Sequence, residues 1–245
     1  MLLDMCKAET PLSVQDRISA IMLEVGGAMT RDSLLSLLST CAKRSRLDEV
    51  LGQMRRAGLI GVVFTSGHKA IYFLTADGAA YSKKLLFIRT KVRYGQAAVA
   101  YALTVEELLM RFVRAWGLQG WEIHGQYEAS DEIAFYRQRQ GVSAVEVKKT
   151  TPTPSAFIRT KSGKACYIAV DCHYTGKRVF DEMRRYATSL FRKNGTIPGV
   201  LFVAATSERA QWMRSRVIPD PVVKVGFCSL DQAVDVLEGT MAPIR

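Results

Sequence analysis

The sequence has no apolar run long enough to cross a membrane. None of its 245 residues belongs to a stretch of eighteen consecutive apolar residues, the length expected of a membrane-spanning helix. The first residues, MLLDMCKAET, include an acid and lack the apolar segment of a secretory signal peptide. We therefore expect a soluble cytoplasmic protein.

Closely spaced cysteines are also missing. The five cysteines are odd in number, scattered and never spaced as Cys-x-x-Cys: Cys6, Cys41, Cys166, Cys172 and Cys228. A disulfide framework needs paired cysteines, and a zinc ribbon needs cysteines separated by two residues. The pattern argues against both, and we expect reduced cysteines that fill space.

Acidic residues are few relative to basic ones. The chain has 23 Asp and Glu against 34 Lys and Arg, a net charge of +11. Such an excess favours a polyanionic partner, because basic side chains that neutralise phosphates release condensed counterions. Nucleic acid is the simpler partner, since no membrane segment is predicted. The length predicts two domains, and the apolar content of 48% allows each to have a core.

The first eighty residues have the periodicity of three helices followed by a hairpin. Ile18, Ile21, Met22 and Val25 recur at helical spacing before a pair of glycines. A second helix is predicted to open at Thr30, whose hydroxyl can cap it, and a third from about residue 45 to residue 57. Strands are predicted over 59–64 and 70–74, around a hairpin tip at 65–69.

The third helix combines an apolar stripe with a basic outer surface. Leu47, Val50, Leu51 and Met54 form the stripe. The polar residues of this helix and of the hairpin tip are candidates for contacting DNA: Lys43, Arg44, Arg46, Gln53, Arg55, Arg56, His68 and Lys69. A surface of this kind that serves only protein contacts is the alternative.

Three helices and a β-wing in this order resemble the winged helix-turn-helix family. The phrases LDEVLGQMRRAGLI and YFLTADG, on either side of the hairpin, are typical of it. The resemblance implies that the third helix enters the major groove and that the wing lies along the DNA backbone. We assign this domain to residues 1–84 and a basic connector to 85–102, either helix or solvated linker.

Residues 103–245 alternate between helix and strand signals. Helices are predicted over 104–116, 177–193, 208–216 and 230–238, and strands over 121–126, 133–137, 142–148, 155–160, 166–171, 199–205 and 222–227. The apolar run over 199–205 suits a buried parallel strand. The order resembles a PD-(D/E)XK restriction-endonuclease-like domain, so the predicted class is α/β, α+β overall.

Nucleases of this fold place an acid on one strand and Glu-x-Lys on the next. Two carboxylates there hold Mg²⁺ or Mn²⁺, and the lysine orients water or stabilises charge at phosphorus. In SDEIAFYRQRQGVSAVEVKK, Asp131 and the Glu146 to Lys148 triplet have this spacing. A half-exposed hairpin with alternating charges would give the same pattern. The register is also unusual, because a second hairpin rather than a helix is predicted to follow.

A second placement of the catalytic acids, which we call the second register, rests on a resemblance to the replication-relaxation family of plasmid and mobile-element proteins. The segments TPTPSAFIRTKSGKACYIAVDCHYTGKRVFDEMRRY and GVLFVAATSERAQWM resemble that family, with matches at Thr175, Tyr186 and the strand over 200–204. Of the acids that the resemblance implies, only Asp171 is present, since Ser155 and Ala169 occupy the other two positions. Either the metal site is rebuilt near Asp171 or cleavage has been lost. A rebuilt site would draw on Glu122, Glu128, Asp131 or Glu146.

The remaining candidate side chains have weaker signals. His124 and His173 could serve as metal ligands or general bases, because an imidazole titrates near neutrality. Tyr127, Tyr136 and Tyr174 are conceivable nucleophiles for covalent strand transfer. We favour a polar strand position for each histidine and a packing or stacking role for each tyrosine.

Two functions are compatible with the sequence. In the first, suggested also by a resemblance to MobC-type plasmid relaxases, the winged helix recognises an origin of transfer. The second domain then nicks one strand with Mg²⁺ or Mn²⁺, using Asp131, Glu146, Lys148 and Asp171, with Glu128 as a further metal ligand, beside possible accessory mobilisation proteins. In the second, the chain is a non-enzymatic DNA-binding accessory protein or a regulator of replication or transcription.

Overall fold

The computed structural model describes most of the chain as a mixed α/β protein. The described residues are 4–6, 11–88, 92–117, 121–150, 152–160, 165–171, 181, 199–216 and 224–241. They form two compact units, 1–110 and 111–245. Within the described residues, no helix is both long and apolar enough to cross a membrane.

The first unit contains helices and one small antiparallel sheet. Its helices are α1 (Val14–Val25), α2 (Arg31–Leu38), α3 (Arg44–Arg56), α4 (Ala76–Leu85) and the first part of α5 (Val99–Trp116). Its strands are β1 (Ala28–Thr30), β2 (Ile60–Phe64) and β3 (Ala70–Leu74), in the order β1-β3-β2. The three predicted helices and the hairpin are confirmed, whereas β1 was not predicted.

Side-chain caps explain where the early helices begin. Ser13 and Asp16 form a reciprocal capping box at the start of α1. Thr30 accepts a hydrogen bond from the Ser33 amide at the start of α2, as the sequence predicted. Glu106 of α5 in turn accepts bonds from the Thr30 amide at 2.9 Å and the Thr30 hydroxyl at 2.5 Å. The junction between β1 and α2 is therefore fixed to α5.

The predicted basic connector over 85–102 is largely part of the first unit. Ile88, Val92, Ala98 and Ala102 are buried, and Ala102 packs against Ala28 and Ile71 of the sheet. The connector therefore does not form a solvated linker across its described residues. The division between units falls inside α5, after residue 110, rather than at residue 102, because the apolar face of α5 completes the first core.

The second unit is built on a five-stranded mixed sheet. Its strands are β4 (Trp121–His124), β5 (Ala156–Thr160), β6 (Ala165–Val170), β7 (Gly199–Ala204) and β8 (Val225–Ser229), in sequence order across the sheet. The β4-β5-β6 pairs are antiparallel, and the β6-β7-β8 pairs are parallel. These strands were predicted, and β7 is a buried parallel strand, as expected.

Helices pack against this sheet. The unit contains α6 (Gln126–Arg139), α7 (Ala144–Thr150), α8 (Ser207–Ser215) and α9 (Ala233–Met241). Ala129 and Ile133 of α6 and Met213 of α8 share one core with strand residues. The strand residues in that core are Phe157, Tyr167, Ala169, Val200, Phe202 and Ala204.

The strands predicted over 133–137 and 142–148 are wrong, because these residues form α6 and α7. The buried residues of α6 recur three or four positions apart, at Tyr127, Ser130, Ile133 and Arg137. Two of them are polar, so the helical stripe does not stand out as apolar in the sequence. The helix predicted over 177–193 lies outside the described residues, apart from helical residue 181.

Candidate functional site

Helix α3 presents a basic surface opposite its apolar stripe. Leu47, Val50, Leu51 and Met54 are at most 3% exposed and anchor the helix in the first core. The six candidates at and along this helix are all exposed: Lys43, Arg44, Arg46, Gln53, Arg55 and Arg56. The predicted separation of apolar and basic faces is therefore present in the folded unit.

An ion pair fixes α3 against α2. The Arg31 guanidinium donates two hydrogen bonds, of 2.8 and 2.7 Å, to the two carboxylate oxygens of Asp48. These bonds lower the pKa of the Asp48 carboxyl and raise the pKa of Arg31. Two parallel bonds restrict the rotation of α3 more than a single contact would, so the basic surface is presented in a defined orientation.

Acids on α3 modify the predicted basic surface. Arg46 lies 2.7 Å from Glu49 in an ion pair, and Gln53 donates to the other Glu49 oxygen at 3.1 Å. The sequence-based list gave equal weight to all the basic residues of this helix. The structure separates Arg46, which is paired, from Arg55 and Arg56, which have no partner among the described residues.

The hairpin tip beside β2 and β3 is ordered by hydrogen bonds. The Thr65 amide donates to the Lys69 carbonyl at 3.0 Å, and the Lys69 amide donates to the Thr65 hydroxyl at 3.1 Å. His68 has a left-handed backbone with φ 57°, which is uncommon outside glycine. His68 and Lys69 are both exposed, as is Phe64 at the end of β2.

The predicted placement of Asp131 and Glu146 on two neighbouring strands is not present. Asp131 lies on α6 and Glu146 on α7, and both are exposed rather than placed on adjacent strands. Lys148 belongs to α7, and its side chain lies outside the described residues. Among the described residues, no three His, Cys, Asp or Glu side chains are grouped to hold a metal ion. Asp131 and Glu146 therefore do not have the two-strand arrangement on which the predicted Mg²⁺ or Mn²⁺ site was based.

Asp171 lies directly after β6 and is bound by an arginine of α8. Its carboxylate is 3% exposed and accepts from Arg209 Nε at 2.5 Å and from Arg209 Nη2 at 3.3 Å. The Arg209 guanidinium also lies 4.1 Å from the centre of the Trp212 ring. This arginine neutralises the one acid that the second register retained, and sequence reasoning did not find it.

Ser155 lies beside the end of β6, where the second register expected an acid. Its hydroxyl accepts a hydrogen bond from the Val170 amide at 3.0 Å, and its amide donates to the Ile168 carbonyl at 2.7 Å. The residues at this point provide one neutralised carboxylate and a hydroxyl bonded to the backbone.

Glu128, in the first turn of α6, belongs to a different cluster, together with side chains of β4 and β5. His124 Nδ1 lies 2.8 Å from Glu128, and His124 Nε2 lies 2.9 Å from Glu122 without the alignment of a hydrogen bond. Arg159 contacts Glu122 at 3.2 Å and Glu132 at 3.1 Å. Burial raises the pKa of Glu122, but His124 and Arg159 outweigh it and lower that pKa overall. The two imidazole nitrogens face different carboxylates, so the cluster does not converge on one metal position.

The other candidate side chains have packing roles or are not described. Tyr127 is 2% exposed, so it cannot act as a nucleophile on DNA in this conformation. Tyr136 contacts Phe135 edge to face. His173, Tyr174, Thr175 and Tyr186 lie outside the described residues.

Comparisons with known proteins identify no family. No protein-family model matches the chain, and neither the curated proteins nor the solved structures include a significant match.

Proposed function

We propose that the chain is a sequence-specific double-stranded DNA-binding protein and that its first unit is a winged helix. The supporting observation is the two-faced helix α3, with four buried apolar residues and exposed arginines. The element order α1-β1-α2-α3-β2-β3, with β3 between β1 and β2, agrees with the topology of that family.

In this arrangement α3 enters the major groove and the hairpin tip lies along the backbone. Arginines on an exposed helix suit base edges and phosphates, because the guanidinium donates several hydrogen bonds in a planar fork. Lys69 at the hairpin tip would add a phosphate contact. The net charge of +11 adds a long-range attraction between the chain and DNA.

We propose that the second unit has a nuclease-like sheet and that the predicted acids do not cleave DNA. The support is the Asp171 ion pair, together with the positions of Asp131 and Glu146 on helices. A DNA-binding accessory role in plasmid mobilisation, or regulation of replication or transcription, is then favoured over nicking at an origin of transfer.

Two assays test the two parts of the proposal, and the first measures DNA binding. Binding sites are selected from a random duplex library, and the selected duplex is titrated by fluorescence anisotropy at several salt concentrations. We expect affinity that falls steeply as salt rises, because counterions are released on binding. The absence of salt-sensitive affinity for any duplex would overturn the proposal.

Supercoiled plasmid carrying the selected site is then incubated with the protein and Mg²⁺ or Mn²⁺. We expect a gel shift without open-circular product. Nicking that is lost in Asp171→Ala would establish cleavage at the second register. Nicking lost in both Asp131→Ala and Glu146→Ala, with Asp171→Ala active, would instead implicate the exposed acids of α6 and α7.

A further inference from the structure

Gly52 occupies an unusual place in α3. It lies in the middle of a helix of 13 residues, where glycine costs about 1 kcal/mol relative to alanine. Among the described residues, a Cβ atom built on Gly52 would meet only Arg56 Nη1, at an ordinary contact distance of 3.6 Å. The described packing of the chain therefore does not require glycine at this position.

A second helical glycine shows the contrast. A Cβ atom on Gly78 of α4 would come within 1.9 Å of the Leu59 carbonyl oxygen, so internal packing excludes any side chain there. The open space at Gly52 has no such internal neighbour. It faces outward from α3 and is bordered by the Arg56 guanidinium.

The arginines of α3 occupy different positions around the helix. At about 100° per residue, Gly52 and Arg56 lie opposite the middle of the buried stripe, whereas Arg44 and Arg55 lie toward its edge. Arg46 lies on the other edge and is paired with Glu49. Arg56, by contrast, has no partner among the described residues.

We infer that Arg56 contacts a guanine in the major groove and that Gly52 gives the helix backbone the space to approach the bases. The inference rests on the proposed function. A guanidinium can donate two bonds to the O6 and N7 atoms of guanine, the commonest specific contact in this groove. Arg44 and Arg55, at the edge of the same surface, contact phosphates on the groove wall.

The inference is tested with the selected duplex and a scrambled duplex of equal length and composition. Arg56→Ala should weaken binding to the selected duplex by roughly 5- to 150-fold, and change the affinity for the scrambled duplex much less. The matched control Arg55→Ala should weaken binding to both duplexes by the same factor and reduce the salt slope by about 1. Equal losses on both duplexes for Arg56→Ala would overturn the inference while leaving duplex binding intact.

A pair of glycine variants tests the close approach. Gly52→Ala should raise the unfolding midpoint, because alanine is the better helix former and meets no clash, yet lower the affinity for the selected duplex. Gly239→Ala in α9, where a Cβ atom would have no described neighbour within 4 Å, is the matched control and should leave affinity unchanged. Full affinity in Gly52→Ala would overturn the close approach. Failure of the wild-type chain to bind any duplex would instead overturn the proposed function.

Discussion

Substitutions at the Asp171–Arg209 ion pair should distinguish a structural acid from a metal ligand. The Asp171 carboxylate is 3% exposed, whereas the Arg209 side chain is 29% exposed and lies over Trp212. Removing one partner of a buried pair costs about 3–5 kcal/mol when the other charge stays buried. The loss of unfolding free energy in Arg209→Met should lie in this range, because the Asp171 carboxylate stays buried without the guanidinium. Asp171→Asn should cost less, about 1–3 kcal/mol, since Arg209 can still reach solvent.

The chain offers a selective probe for this measurement. All three tryptophans, Trp116, Trp121 and Trp212, belong to the second unit. Tryptophan fluorescence during urea unfolding therefore follows the unit that contains the ion pair. The double variant should cost less than the sum of the two single variants, which defines the coupling energy of the pair.

The control is Asp235→Asn, at an exposed acid of α9, which should change the free energy of unfolding by no more than about 0.5 kcal/mol. At a metal site without its ion, an Asp→Asn substitution would instead stabilise the protein, because neutralising one of several clustered acids relieves repulsion between like charges. A stabilised Asp171→Asn variant would therefore refute our reasoning. So would a rise in the unfolding midpoint with Mn²⁺ that the same variant abolishes, since a ligand stabilises only the state that binds it.

Two further predictions concern the surface of the first unit and the reactivity of the cysteines. Arg31→Ala should destabilise the first unit by up to about 1 kcal/mol in far-UV circular dichroism melts at neutral pH. Because the folded-state pKa of Asp48 is lowered, this loss should persist above pH 3.8 and disappear as the pH falls through the folded-state value; a pH-independent loss would contradict the pairing. In native-state alkylation followed by mass spectrometry, Cys166 and Cys228 should react more slowly than half-exposed Cys41, because burial raises the pKa of both thiols to about 12; equal rates would contradict this burial.

Local signals specify most of the first unit. The apolar stripe of α3 and the cap at Thr30 are both readable along the chain, and the structure contains both. Strand β1 has only three residues, and it is defined by its pairing with β3 more than forty positions later. A strand of that length has no periodicity of its own, so its existence depends on tertiary structure.

The error over α6 has a different physical cause. Gln126, Ser130 and Arg137 are buried on this helix, whereas Phe135 is 55% exposed. Buried polar residues and an exposed aromatic hide the helical period, and Ile133, Phe135 and Arg137 then resemble an alternating strand. The spacing between Asp131 and Glu146 predicted a metal site only on the assumption of two adjacent strands. On two helices, the same spacing has no such meaning.

The chemistry of the second unit depends on a contact that no local pattern predicts. Asp171 and Arg209 are 38 positions apart in the sequence. They meet because Asp171 directly follows β6 and α8, which contains Arg209, packs on the sheet. A cation that used this carboxylate would have to compete with a guanidinium already held at 2.5 Å and supported by an aromatic ring. Among the described residues, the neighbouring position expected to hold a second acid is occupied by Ser155, whose hydroxyl accepts a backbone hydrogen bond. The same acid that suggests a nuclease in the sequence therefore joins α8 to the sheet in the fold, and the case for a nucleic-acid partner depends on the arginines of α3.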